Sequence, residues 1–329
     1  MKAQVIEKFG KATEFKVVDL PIPKVIPNHV LIRVLATSVN PVDYKIRGGI
    51  IPDIAPNFPA VLHGDVAGVI EKVGEGVNSF QPGDEVYGCA GGIKGMGGAL
   101  AEYILADAAL IARKPKSLSM RETAALPLVS ITAWSGLIER AKIRSGQTVL
   151  IYGGTGGVGH IAVQLAKSCG AKVYTTVSNL EKAAIVHQLG ADEVINYRQQ
   201  SVESFVNQHT NGKGFDIVFD TVGNDNLQNA FQAAALNGIV VSIVSLSTQD
   251  LTLLHAKGLS LHLVFMLIPM LHNIDRNHHG KILTQLAQLV ERGQIRPLLD
   301  PKSFSFSEVA AAHDYAQSGQ AIGKVTIEL

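Results

Sequence analysis

The chain has 329 residues, 47% of them hydrophobic and 17% charged, with 29 Lys plus Arg set against 28 Asp plus Glu. That length exceeds what one hydrophobic core usually organises, so two domains are expected, and the near-balance of charge gives no sign of the clustered basic residues that a nucleic-acid binder needs. Two cysteines far apart in the chain, Cys89 and Cys169, exclude a disulfide scaffold and fit a reducing cytoplasm.

From residue 1 to about 120 the chain reads as β-rich. Ala3–Ile6, Val30–Leu35, Ala67–Val73, Glu85–Tyr87 and Ala101–Ile104 are short apolar or alternating runs, separated by turn chemistry at Pro21-Ile22-Pro23, Pro27-Asn28, Gly74-Glu75-Gly76 and Pro82-Gly83-Asp84. Many short strands with such turns predict a small barrel or sandwich-like domain. The texture then changes. Met120 to Ala141 reads as helical, followed by strand Thr148–Tyr152, a Gly-rich turn, helix Val158–Ser168 and strand Lys172–Val177. Helix Glu181–Leu189, strand Glu193–Asn196, helix Ser201–Thr210, strand Ile217–Asp220, helix Asn226–Leu236 and strand Ile239–Val244 continue the pattern. Strands alternating with helices of this length predict a doubly wound parallel sheet.

Leu259 to Leu271 is strongly apolar, yet His262 and Pro269 interrupt it and it is too short to cross a bilayer, which takes roughly 20 apolar residues. A buried strand or packed helix is the expectation. The start, Met1-Lys2-Ala3-Gln4-Val5-Ile6, carries no long apolar run or small-residue cleavage site, so a soluble cytoplasmic protein is expected. Beyond residue 270 come a long helix, Gly280–Arg292, Pro-punctuated extended pieces, a short helix, Phe306–Ser318, and the strand Lys324–Glu328.

The sharpest motif is Gly154-Thr155-Gly156-Gly157-Val158-Gly159, a G-x-G-x-x-G. It follows the apolar strand Val149-Leu150-Ile151-Tyr152 and opens a helix with Ile161, Ala162, Leu165 and Ala166 on its apolar face. In that setting the glycines permit a tight turn whose backbone N–H groups approach a pyrophosphate, and the helix N-terminus favours the anion. An NAD site usually ends its second strand on Asp or Glu to hold the ribose hydroxyls. Here the strand ends at Ser178-Asn179, with no acid to repel a 2′-phosphate. Lys182 lies one helical turn further on, and Tyr197 and Arg198 follow the next strand on the same edge. Ser178, Lys182 and Tyr197 together point to NADP(H).

Several motifs in order carry a wider resemblance: Ser38-Val39-Asn40-Pro41-Val42-Asp43-Tyr44, Leu62-His63-Gly64-Asp65-Val66-Ala67-Gly68, Pro82-Gly83-Asp84-Glu85-Val86, Gly153 to Gly159, and Gly323-Lys324-Val325. Across essentially its whole length the chain resembles the medium-chain dehydrogenase/reductase superfamily, and within it the quinone oxidoreductase branch with its zeta-crystallin-like and alkenal reductase members. The resemblance implies an α/β protein with a GroES-like catalytic domain, residues 1–125 and 270–329, and a Rossmann domain, residues 126–269, with cofactor and substrate in the cleft between them. It also implies a homodimer built through an edge strand, for which the apolar run at 257–266 is the candidate. Thr132 resembles a nicotinamide-contacting threonine and Lys324 a cofactor-contacting lysine. Val222-Gly223 and Ser245-Leu246 follow later strands, at the carboxyl ends where cofactors bind.

The zinc-dependent branch of that superfamily holds its metal through Cys, His and Cys or an acid. Asn40 occupies the first Cys position here, and Gly64 the His position, with His63 one residue away. Two distant cysteines cannot build a structural zinc lobe. No metal is therefore expected. Without a metal Lewis acid, simple alcohol oxidation is disfavoured, whereas quinones and α,β-unsaturated carbonyls spread the incoming hydride's charge by conjugation. In this reading the Asn40 amide donates to the developing oxyanion, Tyr44 donates a proton and Asp43 orients it. Asn40 and Asp43 also suit purely structural roles, since Asx-Pro segments initiate turns. The alternatives are a zinc-free alcohol dehydrogenase, an enoyl-thioester reductase, or a non-catalytic NADPH-binding structural or redox-sensing protein.

Overall fold

A computed structural model describes residues 1–244 and 246–329. In chain order its strands and helices begin with β1 (Lys2–Ile6), β2 (Lys16–Asp19), β3 (His29–Ser38), α1 (Pro41–Arg47), β4 (Ala60–Val61), β5 (Asp65–Val73), β6 (Glu85–Cys89), β7 (Tyr103–Asp107) and β8 (Ile111–Arg113). Next come α2 (Met120–Ala124), α3 (Pro127–Trp134), β9 (Thr148–Tyr152), α4 (Gly157–Ser168), β10 (Lys172–Val177), α5 (Leu180–Gln188), β11 (Glu193–Asn196), α6 (Val202–Thr210) and β12 (Phe215–Asp220). The series closes with α7 (Asn226–Ala233), β13 (Ala234–Ser242), α8 (Thr252–Ala256), β14 (Ser260–Leu263), α9 (Ile268–His272), α10 (Asn277–Glu291), β15 (Phe304–Ser305), α11 (Val309–Gln317) and β16 (Thr326–Glu328). Met1–Ile131, Leu267–Gly293 and Pro297–Leu329 form one compact unit, and Thr132–Met266 with Gln294–Arg296 form another.

The first unit is the GroES-like, β-rich part. Its larger sheet runs β15-β16-β3-β5-β6-β8, with β7 pairing β3, and a smaller sheet runs β2-β1-β4. The long strand β3 is rich in Val, Leu and Ile, which suit a pleated buried surface; Val30, Ile32, Val34 and Ala36 are all buried. Two register facts matter for function. Thr326 pairs antiparallel with Ser38, which delivers the C-terminal strand beside the end of β3, and the Val39 N–H continues the contact to Val325 O at 2.9 Å. Asp65 pairs with Cys89 at the start of β5.

The second unit is a six-stranded parallel sheet in the order β11-β10-β9-β12-β13-β14. Numbered from its first strand, that order is 3-2-1-4-5-6, the arrangement of a Rossmann dinucleotide fold. Val149 to Tyr152 of the central strand are all buried, which is why they read as a continuous apolar run rather than an alternating one. Tyr174, Phe205, Phe215 and Phe231 anchor one core, with Tyr174 and Phe215 edge-to-face at 4.9 Å between centroids.

Several elements differ from the sequence reading. After Asn40, where the sequence suggests an Asx-Pro turn, Pro41–Arg47 forms the helix α1, with Pro41 at the first helical position where its missing N–H costs nothing. The helical stretch over 120–141 divides into α2, α3 and a wide-turned segment, Ser135–Arg140. Pro127, which has no N–H to give to the preceding turn, starts the second piece. The helix from Asn226 stops at Ala233, because Ala234 pairs with Phe215 and opens β13. Strands β2, β4 and β8 were not foreseen, and the strand read at Ala101–Ile104 sits later, at Tyr103–Asp107. Of the apolar run at 257–266, Ser260–Leu263 forms a strand, and it lies at the sheet edge. Among the described residues no helix is long and apolar enough to cross a membrane.

Candidate functional site

In the first unit the ends of β3 and β16 and the starts of β5 and α1 gather a buried polar cluster. Asn40, Asp43, Asp65 and Lys324 are 1%, 2%, 0% and 3% exposed, so each must find its partners inside the protein. The Lys324 ammonium donates to Val39 O at 2.9 Å and to Asn40 Oδ1, and lies 3.6 Å from Asp65 Oδ2. Asp65 Oδ2 accepts from Asn40 Nδ2 at 2.7 Å and from the Ser38 hydroxyl at 2.7 Å, while its Oδ1 accepts from the Leu128 N–H at 2.8 Å. The Asn40 carboxamide therefore bridges an ion pair: oxygen to the ammonium, nitrogen to the carboxylate.

Asp43 takes the Asn40 backbone N–H at 2.7 Å, capping α1. Burial pushes its carboxyl up to about 7, against the pull of that backbone hydrogen bond. Burial also raises the Tyr44 phenol, and the neighbouring Asp43 adds to the effect, so Tyr44 is held as the neutral, proton-bearing form. Of the three sequence-named chemical residues, Tyr44 is the one that is only half-buried. Lys324 falls below the ordinary lysine value through burial, opposed by Asp65 and Asp43. The Cys89 thiol, fully buried nearby, is raised well above its usual range by burial first and the two carboxylates second, so it is no thiolate nucleophile.

Behind the cluster lies a pair that sequence reasoning missed. Thr37 Oγ1 donates to Asp65 O at 2.6 Å and meets His63 Nδ1 at 3.1 Å; His63 Nε2 meets His313 Nε2 at 2.8 Å. Both rings are buried. His63 also adopts φ +73°, a left-handed conformation uncommon for a residue with a side chain. Next to it, a Cβ at Gly64 would stand 2.9 Å from Cys89 Sγ and 3.1 Å from Gly91 O, so a side chain there would crowd both. Among the described residues, no group of three or more His, Cys, Asp or Glu side chains is arranged to hold a metal.

In the second unit the Gly-rich turn joins β9 to α4. Gly153 has φ +75° and its N–H is tied to Thr176 Oγ1 at 3.0 Å. A Cβ at Gly154 would stand 2.2 Å from Thr175 Oγ1, and one at Gly159 would stand 2.1 Å from Gly153 O. These two glycines are required by the close packing of helix on strand. Gly156 is the N-cap, so the N–H groups of Gly157, Val158 and Gly159 open the helix without intrahelical partners. The cradle is lined by backbone and fits an anion such as a pyrophosphate.

Val177 pairs with Asn196, and the Tyr197 N–H reaches Val177 O at 3.2 Å. Ser178 and Tyr197 therefore emerge side by side at the carboxyl edge of the sheet. Lys182 sits in the first turn of α5, its own N–H capped by Asn179 Oδ1 at 2.9 Å. Tyr197 is exposed, and Ser178 and Lys182 are part-exposed. Val222 and Gly223 follow β12, where their N–H groups bind Asp220 Oδ1 at 3.0 and 3.1 Å. Asp220, another residue that sequence reasoning passed over, also receives Asn226 and Ser242 and so fixes this loop. Leu246 is exposed, Thr132 is buried in α3, and Ser245 lies outside the described residues.

Comparison with known proteins gives concordant results. Residues 26–116 match the model of the alcohol dehydrogenase GroES-like domain, and residues 189–327 that of the zinc-binding dehydrogenase family. The chain is 33% identical to an NADPH-dependent alkenal/one oxidoreductase of Arabidopsis thaliana, over 99% of its own length and 79% of the relative's. It is 33% identical to a quinone oxidoreductase of Sus scrofa, over 100% of this chain and 98% of that one. Among solved structures, an alcohol dehydrogenase superfamily protein from Novosphingobium aromaticivorans superposes with a TM-score of 0.95 at 39% identity, covering 100% of this chain and 99% of the other.

Proposed function

Because the chain belongs to the medium-chain dehydrogenase/reductase superfamily, we propose that it is an NADPH-dependent, zinc-independent oxidoreductase that transfers hydride to a quinone or an α,β-unsaturated carbonyl. The observation that carries this reading is a Gly-rich turn on a sheet of Rossmann order whose second strand is followed by Ser178 rather than an acid. A hydroxyl there, with Lys182 one turn on and Tyr197 beside it, suits a 2′-phosphate that a carboxylate would repel. The two related enzymes, by name, use NADPH on alkenals and enones or act on quinones, in keeping with that chemistry. In this proposal the two compact units are the catalytic and nucleotide-binding domains.

When bound, NADPH supplies the hydride; the chain's residues orient the acceptor and manage charge. Hydride added to a conjugated carbonyl leaves an enolate or hydroquinone anion, spread over several atoms, and modest hydrogen bonding suffices to hold it. Asn40 offers its second Nδ2–H, the one not given to Asp65, to that oxygen, and Tyr44, kept as a phenol, supplies the proton. Thr132, Val222, Gly223, Ser245 and Leu246 complete the cofactor contacts in this reading; Lys324, expected among them, instead turns its buried ammonium to Val39, Asn40 and Asp65.

Zinc-independence rests on the donors themselves. Gly64 has no side chain to give, both His63 ring nitrogens are engaged, and Asp65 already accepts from Ser38, Asn40 and Leu128. We also take the protein to be a cytoplasmic homodimer. Its edge strand β14, with Leu263 51% exposed and Phe265 just beyond it 49% exposed, supports self-assembly. Sedimentation at two concentrations tests it.

The function is tested by following NADPH oxidation with a quinone and an enone, and NADP⁺ reduction with a simple alcohol, in parallel. Consumption with the conjugated acceptors alone is expected. Tight NADPH binding with no acceptor turned over would sink the proposal in favour of a non-catalytic binding protein.

A further inference from the structure

We infer that Lys324 and Asp65 are positioning residues that act through Asn40, gripping its carboxamide at both ends so that one Nδ2–H is presented in a single direction. This rests on the assignment of Asn40 to the acceptor oxygen made above. It goes beyond it by naming what decides which way that amide points.

The argument is one of donors and acceptors. An asparagine side chain is nearly symmetric in shape, so rotation by half a turn about its last bond exchanges a donor for an acceptor at almost no steric cost. A freely flipping Asn40 would offer a carbonyl oxygen to a developing oxyanion half the time. The cluster removes that freedom. An ammonium has hydrogens to donate and accepts nothing, while a carboxylate accepts and donates nothing. With Lys324 on Oδ1 and Asp65 on Nδ2, a flip would face the amide hydrogens to the ammonium and the amide oxygen to the carboxylate. Both contacts would be repulsive, in a site closed to water, where such errors cost most.

The two charges are themselves fixed. Val39 O takes a further Lys324 hydrogen, and Ser38 and the Leu128 N–H donate to Asp65 as well, one to each carboxylate oxygen. The orientation is thus set by four separate pieces of chain, β3, β5, α3 and the segment leading into β16, rather than by the local turn at Asn40. The same contacts polarise the amide, since an ammonium on its oxygen draws electrons from its nitrogen and strengthens the remaining N–H as a donor. The ion pair adds no net charge to the site.

The test is a double-mutant cycle on the full-length protein with NADPH and a quinone acceptor, read as single-turnover hydride transfer and as NADPH affinity by calorimetry. Lys324→Met is expected to slow hydride transfer roughly tenfold to a hundredfold, as misplacement of one donor does, with NADPH affinity changed less than about twofold. Because it strands a buried carboxylate, Lys324→Met/Asp65→Asn, which neutralises both partners, is made alongside it and must show the same loss. Asn40→Ala/Lys324→Met should be no slower than Asn40→Ala, the signature of residues acting through one another. Multiplying losses, or a fall in NADPH affinity that accounts for the rate, overturns the inference.

A second readout does not need turnover. The two Nδ2 protons of Asn40 should appear as a widely split, slowly exchanging pair in the ¹⁵N spectrum and collapse toward exposed-amide positions in the doubly neutral variant. Unchanged resonances overturn the inference. If the wild type consumes no NADPH with any acceptor, the assigned activity falls, and this spectrum alone decides whether the clamp exists.

Discussion

Nε2 of His63 lies 2.8 Å from Nε2 of His313, and the hydrogen bonds around the pair fix where its protons sit. The Thr37 hydroxyl spends its hydrogen on Asp65 O, so it accepts from His63 Nδ1–H. His63 Nε2 is then the acceptor, and His313 Nε2–H donates to it. A proton added to His63 would set two N–H groups head to head. Burial and the partner ring hold His63 well below the usual imidazole value, and burial with the Arg47 charge lowers His313 to about 3.

Acid stability follows from that pair. Both imidazoles are neutral when folded, and the unfolded chain takes up protons near pH 6.5. The stability they contribute is full above that pH and is lost as pH falls through 6.5 toward about 3. The expected slope is about 1.4 kcal/mol per pH unit for each histidine. Urea unfolding between pH 7 and pH 4 measures it. His313→Phe, which keeps the ring volume, should flatten the curve; an unchanged slope in that variant would show that acid acts elsewhere.

The glycines of the nucleotide turn separate a packing requirement from a binding one. A methyl at Gly159 would stand 2.1 Å from Gly153 O, whereas at Gly156 the nearest atom is the same oxygen at 3.2 Å and the backbone is not left-handed. Gly159→Ala is expected to lower stability by about 2–4 kcal/mol, as overpacking against a backbone does, and to lose NADPH binding with it. Gly156→Ala should leave the unfolding midpoint nearly unchanged while weakening NADPH about tenfold, because its methyl enters the space of the pyrophosphate. Equal thermal shifts in the two variants would refute the distinction.

What could be read in advance divides along the same line. Strands β9, β10 and β11 were legible to the residue because each is a short run of β-branched or aromatic residues between polar or Gly-containing flanks, and the Gly-rich turn lies within six consecutive positions. The clamp on Asn40 is assembled otherwise. Lys324 is 284 positions away in sequence and arrives through the pairing of β16 with β3, and His313 reaches His63 across 250 positions. A single chain carries no record of such pairings. Asp65 stood inside a recognised motif, yet its role was hidden because the motif drew attention to the ligand missing at Gly64.

Cofactor preference turns on one side chain. Lys182 points to no acidic partner among the described ion pairs, and Ser178 and Tyr197 leave the neighbouring strand ends beside it. Lys182→Ala should weaken NADPH by roughly tenfold to thirtyfold, about 1.5–2 kcal/mol for a charge-assisted contact, with NADH changed less than twofold. Ser178→Asp should go further, rejecting NADPH by repulsion while improving NADH through the ribose hydroxyls. Calorimetry with both nucleotides reads each effect. Parallel losses for NADPH and NADH in Lys182→Ala would remove the 2′-phosphate assignment.

Metal dependence gives the last prediction. Zinc needs three or four ligands with lone pairs aimed at one point. Here the donors are engaged otherwise: His63 Nδ1 carries the hydrogen given to Thr37 and its Nε2 accepts from His313, Asp65 already accepts from three N–H or O–H donors, and the Cys89 thiol is kept protonated by burial. Protein dialysed against a strong chelator is therefore expected to keep full quinone-reducing activity and to contain far less than one zinc per chain by elemental analysis. Gly64→His should not create a zinc enzyme, since its Cβ alone would press to 2.9 Å from Cys89 Sγ; it should lower the unfolding midpoint instead. Stoichiometric zinc that leaves together with activity, and restores it on return, would mean that the Thr37, His63 and His313 network opens to take a metal.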